Sequence, residues 1–205
     1  MHSVQQQSSS ALTKSEFTST NQPLNTSSET EELIFLRLDN YVAYENRDKY
    51  IKLADPSQWK FYNDSSKCAT FIRSSECQGK HVFLISSGTL GRELVPTVHN
   101  LPQFTAAYIH CSDVDLHKVW SGQLKKVKIV SFDDNKELFA QLFEDVMQVY
   151  VDIGQKYIQE GKRAAASNIY TEAMLKYADE YGNNDPNYIA FAAILMKKMD
   201  DKNKK

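Results

Sequence analysis

Residues 81–91, HVFLISSGTLG, are the stretch that most restricts how this chain can fold. Val82, Phe83, Leu84 and Ile85 form an unbroken apolar run, not an alternating one, as in a parallel strand covered by helices on both faces. Ser86, Ser87, Gly88 and Thr89 then turn the chain. Gly88 or Gly91 can take the positive φ of a tight strand-to-helix turn, and Ser87 or Thr89 can cap the helix that follows. Such a turn presents backbone N–H groups and a positive dipole end, so it is a candidate cradle for a phosphate or other anion. Its spacing is neither the dinucleotide fingerprint nor the Walker-type phosphate loop, and a plain strand-to-helix turn is the simpler reading.

The rest of the first two thirds supplies neighbours for that strand. Leu33-Ile34-Phe35-Leu36-Arg37-Leu38 reads as a first buried strand, ended by the turn-favouring Asp39 and Asn40. A polar, Tyr-rich stretch running to Ala54 predicts a helix, and its Tyr41, Tyr44 and Tyr50 serve an interface or a core equally well. Pro56 resets the chain, residues 58–62 (QWKFY) alternate as an edge strand does, and Asn63-Asp64-Ser65 opens a helix with Cys68, Phe71 and Ile72 on its apolar side. Beyond the central strand, Leu90, Leu94, Val95 and Val98 fall at helical spacing up to Pro102. Residues 105–111 (TAAYIHC) predict the next strand, 114–124 a helix, and Val127, Ile129, Val130 and Phe132 the last strand. Five strands alternating with helices wind into an open parallel sheet. The expected fold class over 31–134 is therefore α/β, receiver-like or flavodoxin-like, with strand order 2-1-3-4-5 and residues 81–87 in the middle.

Residues 135–200 form a predicted α-helical extension. Asp134 and Glu137 stand at capping-box spacing, and Leu138, Leu142, Val146, Tyr150, Ile153 and Tyr157 then recur every three or four residues until Gly161. That is longer than a sheet-covering helix needs to be, so the helix should run out of the α/β domain. Two further helices are expected over about 163–181 and 187–199.

Composition narrows the class. With 205 residues, 41% of them hydrophobic, the chain can bury one domain plus an accessory element. Residues 1–30 are rich in Ser, Thr and Gln and read as a disordered tail, and 201–205 as a short basic tail. No apolar run reaches the ~20 residues of a membrane-spanning helix, and the start lacks the apolar core of a signal peptide. Cys68, Cys77 and Cys111 are an odd count without metal spacing, as expected of free thiols in a reducing compartment, so the expected location is cytoplasmic. A net charge of -2 with dispersed Lys and Arg argues against a nucleic-acid or membrane-surface partner.

Tyr150, Ile153, Gly154, Tyr157, Gly161, Ala166, Tyr170 and Ala173 follow one another in a large-small-large pattern that resembles a tetratricopeptide repeat. In that pattern Gly154 and Ala166 permit close approach of two antiparallel helices, Tyr157 and Tyr170 fill the groove beside them, and Gly161 makes the turn. The loop from Tyr181 to Pro186 looks like that of the longer, kinesin-light-chain type, and Leu195 falls where a following repeat would place its core leucine. One repeat is complete where solenoids need about three, so the hairpin must lean on the α/β domain, dimerise or belong to a longer array.

Ligands of open parallel sheets bind beyond the carboxyl ends of the strands. Those positions carry Asp39 and Asn40, then Ser86, Ser87, Gly88, Thr89 and Gly91, then Cys111, Ser112 and Asp113, and last Ser131 and Asp133. A phospho-accepting receiver would need an acidic pair, an acceptor aspartate and a lysine; here Asp39 lacks an acidic neighbour, serines replace the acceptor, and Ser131 stands where the lysine would be. Neither serine sits in a nucleophile-elbow pattern. His110 and Cys111 read more simply as packed residues than as base and nucleophile, and no cluster points to a metal. No catalytic residue or cofactor is assigned. The ligand-binding candidates are Asp39, Ser86, Ser87, Gly88, Thr89, Gly91 and Ser112.

LISSGTLGRELVPTVHNLPQF (84–104), AAYIHC (106–111) and WSGQLKKVKIV (120–130) resemble an uncharacterised α/β domain found ahead of tetratricopeptide repeats in multidomain invertebrate proteins, sometimes with an arginine-specific ADP-ribosyltransferase domain. Ser86-Ser87 and His110 depart from that pattern, which usually has one serine before the glycine and Phe or Tyr before the cysteine. The resemblance implies an accessory or sensing module, with any transferase activity elsewhere: Arg73-Ser74-Ser75-Glu76 is only a fragment of that transferase motif. Two functions follow. One is a non-catalytic protein interaction or scaffolding module that binds a protein partner or a second copy through its C-terminal helices. The other is a nucleotide- or anion-sensing module, or weak enzyme, using the turn at 86–91.

Overall fold

The computed structural model describes residues 33–40 and 53–200, with the backbone alone at 134–135. The expected disordered and basic tails, most of the helix predicted before Ala54, and Tyr41, Tyr44 and Tyr50 lie outside the described residues. Five strands, β1 (Leu33–Leu38), β2 (Trp59–Tyr62), β3 (His81–Ser87), β4 (Phe104–His110) and β5 (Val127–Ser131), form one sheet in the order β2-β1-β3-β4-β5. Every neighbouring pair is parallel, so the 2-1-3-4-5 sheet with β3 at its centre is the expected one. The helices are α1 (Ser65–Arg73), α2 (Gly88–Val98), α3 (Val114–Ser121), α4 (Phe139–Gln159), α5 (Arg163–Tyr181) and α6 (Pro186–Asp200).

Side chains on a strand alternate between faces, and both faces of this sheet are apolar. Ile34, Leu36, Leu38, Val82, Leu84, Ala107 and Ile109 pack with Cys68 and Ile72 of α1 and Leu94, Val95 and Val98 of α2. On the other face Phe35, Phe83, Ile85, Ala106 and Tyr108 pack with Leu142, Phe143, Val146 and Met147 of α4. Phe35 stacks between Trp59 and Phe83, with ring centroids 4.9 Å and 5.4 Å away, which ties the edge strand to the centre.

The start of α4 differs from the expected capping box. Asp133 is the capping residue, its Oδ1 accepting from the Lys136 N–H at 2.9 Å. Glu137 instead accepts from the Ser131 hydroxyl at 2.6 Å, and a single π-helical turn over Asp134–Leu138 precedes the regular helix.

At ~1.5 Å per residue, the 21 residues of α4 span about 31 Å, whereas the seven residues of β3 cover about 23 Å. The helix overruns the sheet. Its free length is taken up by α5, and Ile169, Tyr170, Ala173 and Tyr177 of α5 together with Leu195 of α6 join the same core as the sheet face. The hairpin thus leans on the α/β layer. Gly161, at φ +77°, ends α4: the Gly161 N–H bonds to the Ile158 carbonyl and the Lys162 N–H to the Tyr157 carbonyl, a glycine-dependent helix stop.

Candidate functional site

The carboxyl edge of the sheet is where the candidate residues should converge. The strand register places Leu38 beside Ser86, Ser87 beside His110 and His110 beside Ser131, so these positions do line one edge. What they do there differs from residue to residue. The Ser86 side chain is fully buried, and its hydroxyl donates to the Ser87 carbonyl at 3.0 Å. Ser87 occupies the capping position of α2 but makes no side-chain cap bond. Thr89 and Ser112 are exposed. Asp39 is paired with Arg37 at 3.4 Å, both side chains largely shielded.

Neither Gly88 nor Gly91 has a positive φ, contrary to the expectation for this turn. They are small because neighbours press on them. A Cβ on Gly88 would stand 2.3 Å from Nε2 of His117, and one on Gly91 would stand 2.8 Å from Cδ1 of Ile109 and 3.2 Å from Oγ of Ser86. Asp113 caps α3 by accepting from the Leu116 N–H at 3.0 Å, and the next turn of that helix delivers His117 onto Gly88. The ring is held there by Trp120, whose Nε1–H donates to its Nδ1 at 2.9 Å. His117 is 8% exposed. The turn at 86–91 is therefore roofed at Gly88 by an imidazole.

The remaining polar groups of the edge are engaged in structure. His110 Nε2 lies 3.0 Å from the Phe132 carbonyl oxygen. Ser131, buried, donates to Glu137 and accepts from the Asp133 N–H at 3.0 Å. Cys111 donates weakly to the Asp113 carbonyl at 3.6 Å; partial burial, and then the nearby Asp113 carboxylate, push its thiol pKa up, the opposite of what a nucleophilic thiolate requires. Cys68 is raised further, to about 12, by burial and then by Cys77.

A shallow groove of about 330 Å³ between α1 and α2 is lined by Ser65, Ala69, Arg73, Glu93, Leu94 and Thr97. Its polar groups bond to one another: Ser65 donates to Glu93 at 2.8 Å and Arg73 to the Thr97 carbonyl at 2.8 Å. Among the described residues no group of three or more His, Cys, Asp or Glu could hold a metal ion, and no helix is long and apolar enough to cross a membrane.

The eight residues of the repeat pattern are gathered where α4 meets α5. Ile153, Ala166 and Ala173 are buried, Tyr157 packs at the margin, and Gly161 makes the turn. A Cβ on Gly154 would fall 2.0 Å from Cε1 of Tyr170, so the tyrosine ring presses directly against the glycine. Tyr150 crosses the hairpin and donates to Glu172 at 2.9 Å. The Tyr170 hydroxyl, in contrast, is buried with no hydrogen-bond partner among the described residues.

Sequence reasoning missed the outer side of α6. Tyr188, Phe191, Ala192, Leu195 and Met199 turn inward, yet Ile189, Ile194 and Met196 remain 56%, 51% and 59% exposed. The sequence did carry the signal: from Tyr188 to Met196 every residue is apolar, and a helix apolar all round is normally covered all round.

No family model, curated protein or solved structure matches this chain.

Proposed function

We propose that this chain is a non-catalytic protein interaction or scaffolding module, a receiver-like α/β domain carrying a tetratricopeptide-type helical hairpin. The observation that carries this is α6, which packs one apolar face on α4 and α5 and leaves a second in solvent at Ile189, Ile194 and Met196. The repeat-type reading draws support from the Gly154–Tyr170 contact, because a glycine under an aromatic ring at a helix crossing is what the large-small-large pattern requires. The alternative, a nucleotide or anion held over 86–91, gains no support from Gly88, whose open side is taken by His117.

The test is the size of the native assembly. In extracts of cells producing the full chain it should migrate well above its own 23.5 kDa, and Ile189→Glu with Met196→Glu should return it to that size. Migration as a bare monomer with and without those substitutions would sink the proposal. A thermal-shift panel of nucleotides and inorganic anions addresses the alternative: stabilisation by one member, abolished by Thr89→Glu, would favour it.

A further inference from the structure

We infer that the outer face of α6 pairs antiparallel with α6 of a second copy of this chain. The inference deepens the interaction reading and rests on it. The outer stripe consists of Ile189, Ala190, Ala193, Ile194 and Met196, all exposed and spaced three and four apart along a 15-residue helix. Ala190 and Ala193 lie at its middle, where small side chains let a second backbone approach closely, and the larger Ile189, Ile194 and Met196 flank them.

Charge selects the occupant and its direction. Residues 179–185 hold three acids, Asp179, Glu180 and Asp185, and no base. The last turn of α6 carries Lys197 and Lys198 against Asp200. The corner at which α6 begins is therefore negative and its last turn net positive. A parallel copy would set like ends together, whereas an antiparallel copy sets each acidic corner against a basic end, twice by symmetry. A two-fold axis between Phe191 and Ala192 puts Ala190 opposite Ala193 and Asp185 level with Lys198 in one register. A single helix face about 22 Å long buries less than the ~800 Å² per partner of a standard interface, so the dimer is weak and concentration-dependent.

Sedimentation velocity on the full chain, from low to high micromolar concentration, is the measurement. The expected result is a shift from 23.5 kDa toward twice that mass, weakened by added salt and reduced at least tenfold in association constant by Ala193→Glu. Lys197→Glu with Lys198→Glu, and separately Asp179→Lys with Glu180→Lys, should each abolish the dimer. Mixing these two variants should restore it as a heterodimer, since each then meets the opposite charge at both ends. All of these positions but Lys198 are exposed, and far-ultraviolet circular dichroism verifies the fold of each variant. A chain monomeric at every concentration, a dimer indifferent to Ala193→Glu, or variants that fail to complement would each overturn the inference. If the purified chain is monomeric while the native assembly in extracts persists, the interaction reading stands and only the self-pairing falls.

Discussion

Tyr108 of β4, fully buried, donates its phenolic proton to Asp145 of α4 across 2.7 Å. Tyr150, five residues further along α4, does the same to Glu172 of α5 at 2.9 Å. The middle of one helix is thus pinned on one side to the sheet and on another to α5 by the same device.

Both phenols have raised pKa values, first through burial and then through the adjacent carboxylate. The folded chain holds them neutral, while the unfolded chain ionises them near the ordinary value of 10.0. Below that pH both states are neutral and the contribution to stability is fully present; above it the unfolded state binds fewer protons and stability falls toward the raised folded values. Urea midpoints should therefore drop steeply above pH 10. Tyr108→Phe should cost about 1–2 kcal/mol at neutral pH and flatten that alkaline decline.

Gly154→Ala drives a methyl group into the Tyr170 ring. Overpacking of this kind costs about 1–3 kcal/mol and outweighs the ~1 kcal/mol that alanine gains over glycine in a helix. Combined with Tyr170→Leu the same substitution should become neutral or stabilising, a coupling visible in a double-mutant cycle. Tyr170→Phe, which removes a buried hydroxyl lacking a partner, should cost little or raise the midpoint.

Gly88→Ala should destabilise by about 1–3 kcal/mol because His117 occupies the space. The displaced ring loses its bond from Trp120, so indole emission should shift with it. In a His117→Ala background Gly88→Ala should be close to neutral. An equal penalty in both backgrounds would contradict the roofed turn.

Cys68 and Cys77 are fully buried and Cys111 is partly exposed. An aromatic disulfide reagent should therefore titrate one thiol in the native chain, Cys111, and three after denaturation. Its reaction at pH 7 should be slower than that of a free thiol, since the Cys111 pKa is raised, and should accelerate as pH rises. Cys111→Ser should abolish the native-state reaction.

The parts of this fold that were legible in the sequence are those encoded by neighbours along the chain. Val82 to Ile85 announce a strand buried on both faces, the intervals from Leu142 to Tyr157 announce a helix, and Gly161 marks its end. The capping residue was misplaced by one position, at Asp134 and not Asp133, because two adjacent aspartates carry the same local signal and only the backbone path chooses between them. The role of the glycines at 88 and 91 was not legible for a different reason. A glycine needed for positive φ and a glycine needed for close approach look identical in sequence, and the side chains that decide, His117 and Ile109, arrive from elsewhere in the chain.

By itself, then, the sequence determined the alternation of strands and helices and the position of the helical hairpin, since apolar periodicity and turn chemistry are local properties; the 2-1-3-4-5 order followed from that alternation only through the topology rules of open parallel sheets. Tertiary structure alone decided that the hairpin shares its core with the sheet, that the turn after β3 is roofed at Gly88 by an imidazole, and that α6 keeps an apolar face in solvent. Each of those depends on which surfaces meet at long sequence separation. Tyr108 finds Asp145 across 37 residues, and no pattern within either segment names the other.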